Sequence, residues 1–398
     1  MSIFNTAIGQ PAENEVYFDR AYLNNRALKY LERKANILVS APRRVGKTSF
    51  LKNLCLLDND KLLIKYHTTE SINQIDEFYK KLYKSLLEEI SLQKNVWEGL
   101  KDMLKRNKIE KIGLKGIELK HTQLNYFEEF KNLLKNITLD KKIVFIIDEF
   151  SETLENIIKD YGEKEGQLFL HQNRELRQES EISNTIQFIY SGSIGLGNIA
   201  ERIEAIKSIN DLTDFAIPPF SKEEAYLLIE QLLVDKSMTF SKNVKDHLLK
   251  KIVWLMPYYI QIVLDELEEL LLQQNKKVIA KKDIDQALAH VLDKRNYFEH
   301  WHTRLRTAFQ GNRYTFAKEV LNLTCKEEKG LSKTVVFDLS EKYKLREGYQ
   351  LIIRTLEYDG YIHLGSDGNY IFNSPLLQFW WKKNISICLL YTSDAADD

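Results

Sequence analysis

The segment that most constrains this chain is Ala41 to Thr48, APRRVGKT, set between the apolar run NILVS and the helix-like stretch SFLKNL. It fits the pattern G-x-x-x-x-G-K-[ST] with Ala41 in place of the first glycine. A loop of this kind turns its backbone N–H groups inward and leads into an electropositive helix N-terminus, which together favour phosphate. Gly46 lets the backbone approach closely, Lys47 has the reach for β and γ phosphates, and the Thr48 hydroxyl can ligate Mg²⁺. Alanine is the next smallest residue after glycine, so Ala41 is accommodated if its φ is negative. The segment predicts ATP binding by Ala41, Pro42, Arg43, Arg44, Val45, Gly46, Lys47 and Thr48, with Ser49 opening the helix.

A second constellation is IVFIIDEF, Ile143 to Phe150. Five apolar residues place Asp148 and Glu149 at the C-terminal edge of a buried strand, which in a parallel sheet is where ligands sit. Asp148 is a candidate Mg²⁺ ligand, directly or through water, and Glu149 a candidate to polarise the attacking water in γ-phosphate hydrolysis. The bland alternative is a strand that merely ends in solvated acids. Ser191, in Ser191-Gly192-Ser193 at the edge of the next strand, could sense the γ-phosphate or position the water, or belong to a plain strand-to-helix turn. Arg202 lies on a short helix where ring-forming ATPases present an arginine finger to a neighbour; an ordinary surface arginine is the competing reading.

Around these motifs the chain reads as α/β. Short runs rich in β-branched or aromatic residues stand at Asn36 to Ser40, Leu62 to Tyr66, Ile143 to Ile147, Thr185 to Tyr190 and Thr213 to Ile217. Helical patterns separate them, as in Asn73 to Ile90, which puts Ile75, Phe78, Leu82, Leu86 and Leu87 on one face. Strands alternating with helices predict a parallel sheet. Residues 94–124 break the rhythm and suggest a hairpin-like insertion in a core spanning 1–220. From 221 to 296 the pattern is helical throughout and reads as a lid. From 297 to 387, helices at Trp301 to Phe309, Tyr314 to Leu323 and Gly348 to Tyr358 precede two alternating runs joined by Gly-Ser-Asp-Gly-Asn, which describes a winged helix.

Composition narrows the partners. With 44% hydrophobic and 29% charged residues, the 398-residue chain is neither disordered nor collagen-like. No run approaches ~18 uninterrupted apolar residues, and the first residues lack a basic region followed by an apolar core, so no membrane and a cytoplasmic location are expected. Cys55, Cys325 and Cys388 lie too far apart for a disulfide framework or a metal cluster. His300 and His302, flanking Trp301 without nearby Cys or acid ligands, read as a domain-junction surface rather than a metal site.

The last eleven residues, 388–398 (CLLYTSDAADD), look like the translated read-through of a sequencing adapter. Removing them turns 57 bases against 57 acids into 57 against 54. Residues 301–387 carry 13 Lys or Arg against 9 Asp or Glu, so a mildly basic C-terminal part lies behind the overall neutrality. The presumed recognition helix mixes Arg346 and Arg354 with Glu347 and Glu357, leaving DNA and protein equally open as its partner.

Val16-Tyr17-Phe18-Asp19-Arg20, APRRVGKTS, IVFIIDEF, YSGS, PPFSKEEA and MPYYIQ together resemble the archaeal-type ATPase family, prokaryotic P-loop proteins of the AAA+ and STAND-like division that usually carry a C-terminal winged helix. The resemblance covers nearly all of residues 5–387. It implies a sheet in 5-1-4-3-2 order, nucleotide between core and lid, and a role near the adenine for the region from Phe18 to Arg20. The family's lid carries a Gly-x-Pro turn; here Pro257 is present and Leu255 occupies the glycine position. No arginine follows in the second-sensor place.

The expectation is a Mg²⁺-dependent ATPase that turns over slowly and acts as a nucleotide switch. The alternatives are a winged-helix DNA-binding regulator, or a signalling scaffold that oligomerises on ATP with little hydrolysis.

Overall fold

A computed structural model of the chain describes residues 2–92, 109–113, 116–119 and 125–386. The expected adapter tail, 388–398, and most of the expected insertion, about 94–124, lie outside the described residues. The chain forms two compact units, one of residues 1–19, 41–49 and 217–398 and the other of residues 20–40 and 50–216.

The second unit is built on a five-stranded parallel sheet of β1 (Ile37–Ser40), β2 (Leu62–Thr68), β5 (Lys142–Asp148), β6 (Ile186–Ser191) and β7 (Thr213–Ala216). Between β2 and β5 stand β3 (Ile109–Gly113) and β4 (Gly116–Leu119), which pair with each other as an antiparallel hairpin. The order across the main sheet is β2-β5-β6-β1-β7, which is the expected 5-1-4-3-2 read from the other edge, with the hairpin strands left out of the count. β5 is an interior strand, paired on both sides by β2 and β6, and nearly dry: Ile143 to Ile147 are at most 1% exposed. Strands covered on both faces need continuous apolar runs, and that is what IVFII supplies.

Helices Ile75–Leu92, Tyr126–Asn136, Phe150–Tyr161 and Glu163–Gln178 enclose a core dense in aromatic rings, including Phe78, Tyr79, Phe130, Phe145, Phe169 and Phe188. The ring pairs lie tilted, edge-to-face or offset, as their quadrupoles favour. In register, Thr68 pairs with Asp148, Ile147 with Tyr190 and Val39 with Ser191. The sheet therefore ends along one edge in Thr68, Asp148, Ser191 and Ser40, and the chain leaves Ser40 directly into the APRRVGKT loop.

The first unit contains that loop together with everything after residue 216. Helix Lys222–Leu232 opens with a capping box, in which Ser221 and Glu224 exchange side-chain and backbone hydrogen bonds. Helices Lys242–Ile252, Pro257–Gln273 and Lys281–Asp293 follow, the second of these starting with Pro257 at its first turn, where a missing N–H costs nothing.

Beyond them come helices Glu299–Ala308, Gly311–Thr324, Lys333–Lys342 and Tyr349–Asp359, with β8 (Leu331–Ser332), β9 (Ile362–Leu364) and β10 (Asn369–Phe372) in an antiparallel sheet of order β8-β10-β9. The last three of these four helices and the sheet run in chain order helix, β8, helix, helix, β9, β10, which is the arrangement of a winged helix. Lys333–Lys342 contains the β-branched run TVV, which carries no helical signal. It is helical because Ser332 caps it and Val336 and Leu339 bury one face. No helix among the described residues is long and apolar enough to cross a membrane.

Candidate nucleotide site

One set of candidate residues lies in the second unit, at the edge of the sheet. Asp148 is 2% exposed at the end of β5. The Ser191 hydroxyl donates to its Oδ1, as does the Glu149 N–H at 3.1 Å, and the Tyr66 hydroxyl donates to Oδ2 at 2.8 Å. Each flanking strand thus contributes one hydroxyl, so the carboxylate is fixed from both sides. The bond also acts on its donor: burial first, and then the Asp148 charge, push Tyr66 far above its ordinary range, so it stays a hydroxyl donor.

Glu149 follows in a left-handed conformation, φ 60° and ψ 34°, and immediately precedes helix Phe150–Tyr161. A non-glycine residue held there is unusual and marks a site where side-chain placement overrides local backbone preference. Its carboxylate accepts the Ser193 N–H at 2.9 Å. Glu152, one helical turn on, accepts from the Ser193 hydroxyl, and burial followed by contact with Glu149 pushes its carboxyl well above the usual range. Gly192 makes the arrangement fit, since a Cβ there would lie 2.3 Å from Ser151 Oγ and 2.7 Å from Ser151 Cβ.

The structure thus brings Asp148, Glu149 and Ser191 together. Arg202 is engaged elsewhere: it is exposed and pairs with Glu155 at 2.7 Å. Arg20 is buried and reaches the Tyr22 hydroxyl at 2.7 Å. Tyr66 and Glu152 were not legible as site residues, and Ser193 stood out only as part of the Ser191-Gly192-Ser193 stretch. Glu152, one turn after Glu149 on the same helix, left a trace in the sequence as well.

The candidate loop residues lie in the first unit. The left-handed positions fall at Arg44, φ 68°, and Gly46, φ 94°, and not at Ala41, which is why alanine is tolerated there. Val45 is buried and anchors the loop. Lys47 is 8% exposed and its Nζ donates to the Ala41 carbonyl at 2.9 Å, so the side chain folds back across the loop. Ser49 is buried in the helix that follows, and Thr48 is half-buried at its first turn. Within the loop, the Thr48 hydroxyl is a hard oxygen donor of the kind Mg²⁺ takes, and the folded-back Lys47 ammonium is a cation that phosphate can draw out; the loop residues fit both groups. Phe18 packs its ring on Phe220 at 5.3 Å.

Consecutive loop residues meet the helical and C-terminal parts of the same unit. Pro42 abuts Gly360, where an added Cβ would come within 3.0 Å of Pro42 and 2.6 Å of Trp254; φ of 89° makes glycine doubly necessary there. Asp359, one residue earlier, is fully buried and paired with Arg304 at 2.9 Å. Burial raises Asp359, while Arg304, then Arg43 and Lys47, pull it back toward ionisation. The Arg44 guanidinium lies 4.8 Å from the centre of the Tyr258 ring. His300 is neutral, pushed down to about 3 by burial and by the Arg44 and Arg43 charges.

No protein-family model matches the chain, and no curated protein matches it in sequence. Among solved structures, the chain is similar to the Walker-type ATPase of Pyrococcus abyssi, with 15% identity, 94% of this chain and 98% of that one covered, and a TM-score of 0.55. It is also similar to the ORC2 protein of Aeropyrum pernix in its ADPNP-ADP complexes, with 11% identity, 93% of each chain covered and a TM-score of 0.50. The likeness is one of fold: the chain has the fold of AAA+-type P-loop ATPases.

Proposed function

We propose that the protein binds ATP with Mg²⁺ and hydrolyses it slowly, acting as a nucleotide-dependent switch in the cytoplasm. The observation that carries this reading is the P-loop backbone itself, left-handed at Arg44 and Gly46 with Lys47 folded across it; in the other unit, Asp148 and Glu149 at the end of β5 are each held by hydrogen bonds. The ADPNP-ADP complexes of the ORC2 protein, which shares the fold, support the choice of adenine nucleotide.

On this reading the N–H groups of residues 42–48 cradle the phosphates, and Lys47 gives up the Ala41 carbonyl to meet the β and γ oxygens. Thr48 and Asp148 hold Mg²⁺, whose contribution when bound is to neutralise phosphate charge. Glu149 orients a water and accepts its proton, and Ser191 keeps Asp148 in place. The Ser193 N–H fixes the Glu149 carboxylate in place. Phe18, Arg20 and Pro257 serve the base side. Arg202, at the surface, would exchange its Glu155 partner to meet the nucleotide of a neighbouring copy.

The test is a titration with labelled ATP beside a steady-state phosphate-release assay. Lys47→Ala should lose binding, and Glu149→Gln should keep binding while losing hydrolysis. Equal affinity of the wild type and Lys47→Ala would sink the reading.

A second reading, a DNA-binding regulator whose nucleotide site is silent, draws on exposed Gln350 and Arg354 on the Tyr349–Asp359 helix and on the mildly basic C-terminal part. Salt-dependent DNA binding indifferent to nucleotide, with no ATPase, would favour it. A scaffold that oligomerises on ATP would instead show in light scattering with a non-hydrolysable analogue.

A further inference from the structure

Arg44 is the exposed member of the loop's arginine pair, and its backbone sits at φ 68°. An arginine held in that region stores strain, so the loop has a nearby relaxed alternative if the side chain is released. What holds the side chain is the face of Tyr258, 4.8 Å from the guanidinium carbon. Tyr258 is itself 8% exposed in the first turn of the Pro257–Gln273 helix.

The opposite end of the same ring is engaged with a different part of the chain. The Tyr258 hydroxyl donates to the Tyr297 carbonyl at 2.8 Å in a buried hydrogen bond, and the His300 ring stands edge-on to Tyr258 at 5.8 Å. Residues 294–300 form the junction between the helical segment and the C-terminal helices and sheet. That junction is pinned to the same helix two turns further on, where the Tyr297 hydroxyl donates to Glu266 at 2.6 Å and Lys294 pairs with Glu266 at 2.5 Å. The Glu266 side chain is 0% exposed, so this second attachment is firm and Tyr258 is the one that faces the loop.

We propose that Tyr258 is a positioning residue that relays the state of the P-loop to the junction at residues 294–300: its ring holds Arg44, and its hydroxyl holds the Tyr297 carbonyl. The proposal rests on the ATP reading of the loop. A phosphate in the loop competes with the Tyr258 face for Arg44, because a charge-assisted bond to phosphate exceeds an exposed cation–π contact. Release of Arg44 frees the ring to shift, and the Tyr297 carbonyl and His300 follow, being its direct contacts. By linkage, anything that fixes the junction must change ATP affinity by the same factor that ATP changes the junction.

The two ends of the ring can be separated by substitution. Tyr258→Phe keeps the face for Arg44 and removes only the hydroxyl; Arg44→Gln removes the charge and leaves the hydroxyl. Full-length wild type and both variants, each checked for an unchanged melting profile, are titrated with a fluorescent ATP analogue. Amide hydrogen exchange over residues 294–302 is then followed with and without ATP. The expected result is that ATP changes exchange at the junction of the wild type, that Tyr258→Phe binds within roughly threefold of wild type but loses that change, and that Arg44→Gln loses it too. A full exchange response in Tyr258→Phe, with ATP binding intact, overturns the relay and leaves the ATP reading standing. Failure of the wild type to bind ATP overturns both.

Discussion

The buried pair Arg304–Asp359 offers a prediction in which stability and nucleotide affinity separate. Both side chains are 5% exposed or less and lie 2.9 Å apart, and Asp359 also feels Arg43 and Lys47 of the loop. Asp359→Asn leaves a buried guanidinium without its counter-charge, and Arg304→Met leaves a buried carboxylate without its own. Breaking such a pair from either side costs about 3–5 kcal/mol, so the two variants should be destabilised alike. Their effects on ATP should be opposite. Asp359→Asn removes a negative charge beside the cations that meet phosphate, whereas Arg304→Met removes a positive charge from the same place.

One unit charge about 10 Å from another, at an effective dielectric of about 20, is worth about 1.7 kcal/mol, or roughly 15-fold in Kd. ATP should therefore bind tighter to Asp359→Asn and weaker to Arg304→Met, each by up to that factor. Saturating ATP should raise the melting temperature of Asp359→Asn by a few degrees more than that of wild type. Isothermal titration and thermal melts with and without Mg-ATP read both quantities. Affinities that move in the same direction in the two variants, or that stay within about twofold of wild type in both, would refute the electrostatic reasoning.

Tyr66→Phe removes a hydrogen bond to a charged acceptor on a half-buried side chain, and should lower stability by about 1.5 kcal/mol in denaturant titration; an unmoved midpoint would show that the bond is not made in solution. Gly192→Ala places a methyl against Ser151 and must shift the turn that holds Ser193 on Glu149, so the ATPase rate should fall more than ATP affinity does; equal losses in the two assays would contradict this. His67 is pushed down to about 4, by burial and then by Lys81 and Lys65, so below its unfolded value near 6.5 the unfolded chain binds more protons and stability falls as pH falls. From pH 6.5 to 5 the loss from this group is about 2 kcal/mol, and His67→Phe should flatten that part of the stability curve; an unchanged slope would rule His67 out as its source.

Much of the fold was legible because its determinants are local. A buried parallel strand must be a short apolar run, and the five runs expected from the sequence are the five strands of the sheet. The P-loop is legible for the same reason, since its function needs particular residue types at fixed spacing along the backbone. Asp148 and Glu149 could be placed at a strand end because an apolar run followed by two acids can end in only one way at the edge of a buried sheet. The order of the strands came from resemblance, since no local pattern encodes which strand lies beside which.

Tertiary structure decided the rest, and for a single physical reason: those features depend on residues far apart in the chain arriving at one place. Tyr66 is an ordinary strand tyrosine until β2 aligns with β5 and brings its hydroxyl to Asp148. Gly360 is an ordinary helix-ending glycine until Pro42 and Trp254 close over it. The loop's two arginines read in the sequence as part of a phosphate site, and only the folded chain shows Arg44 resting on Tyr258 and Arg43 pulling on Asp359. Spacing along the chain determined that there would be a phosphate loop; packing across it decided what that loop touches.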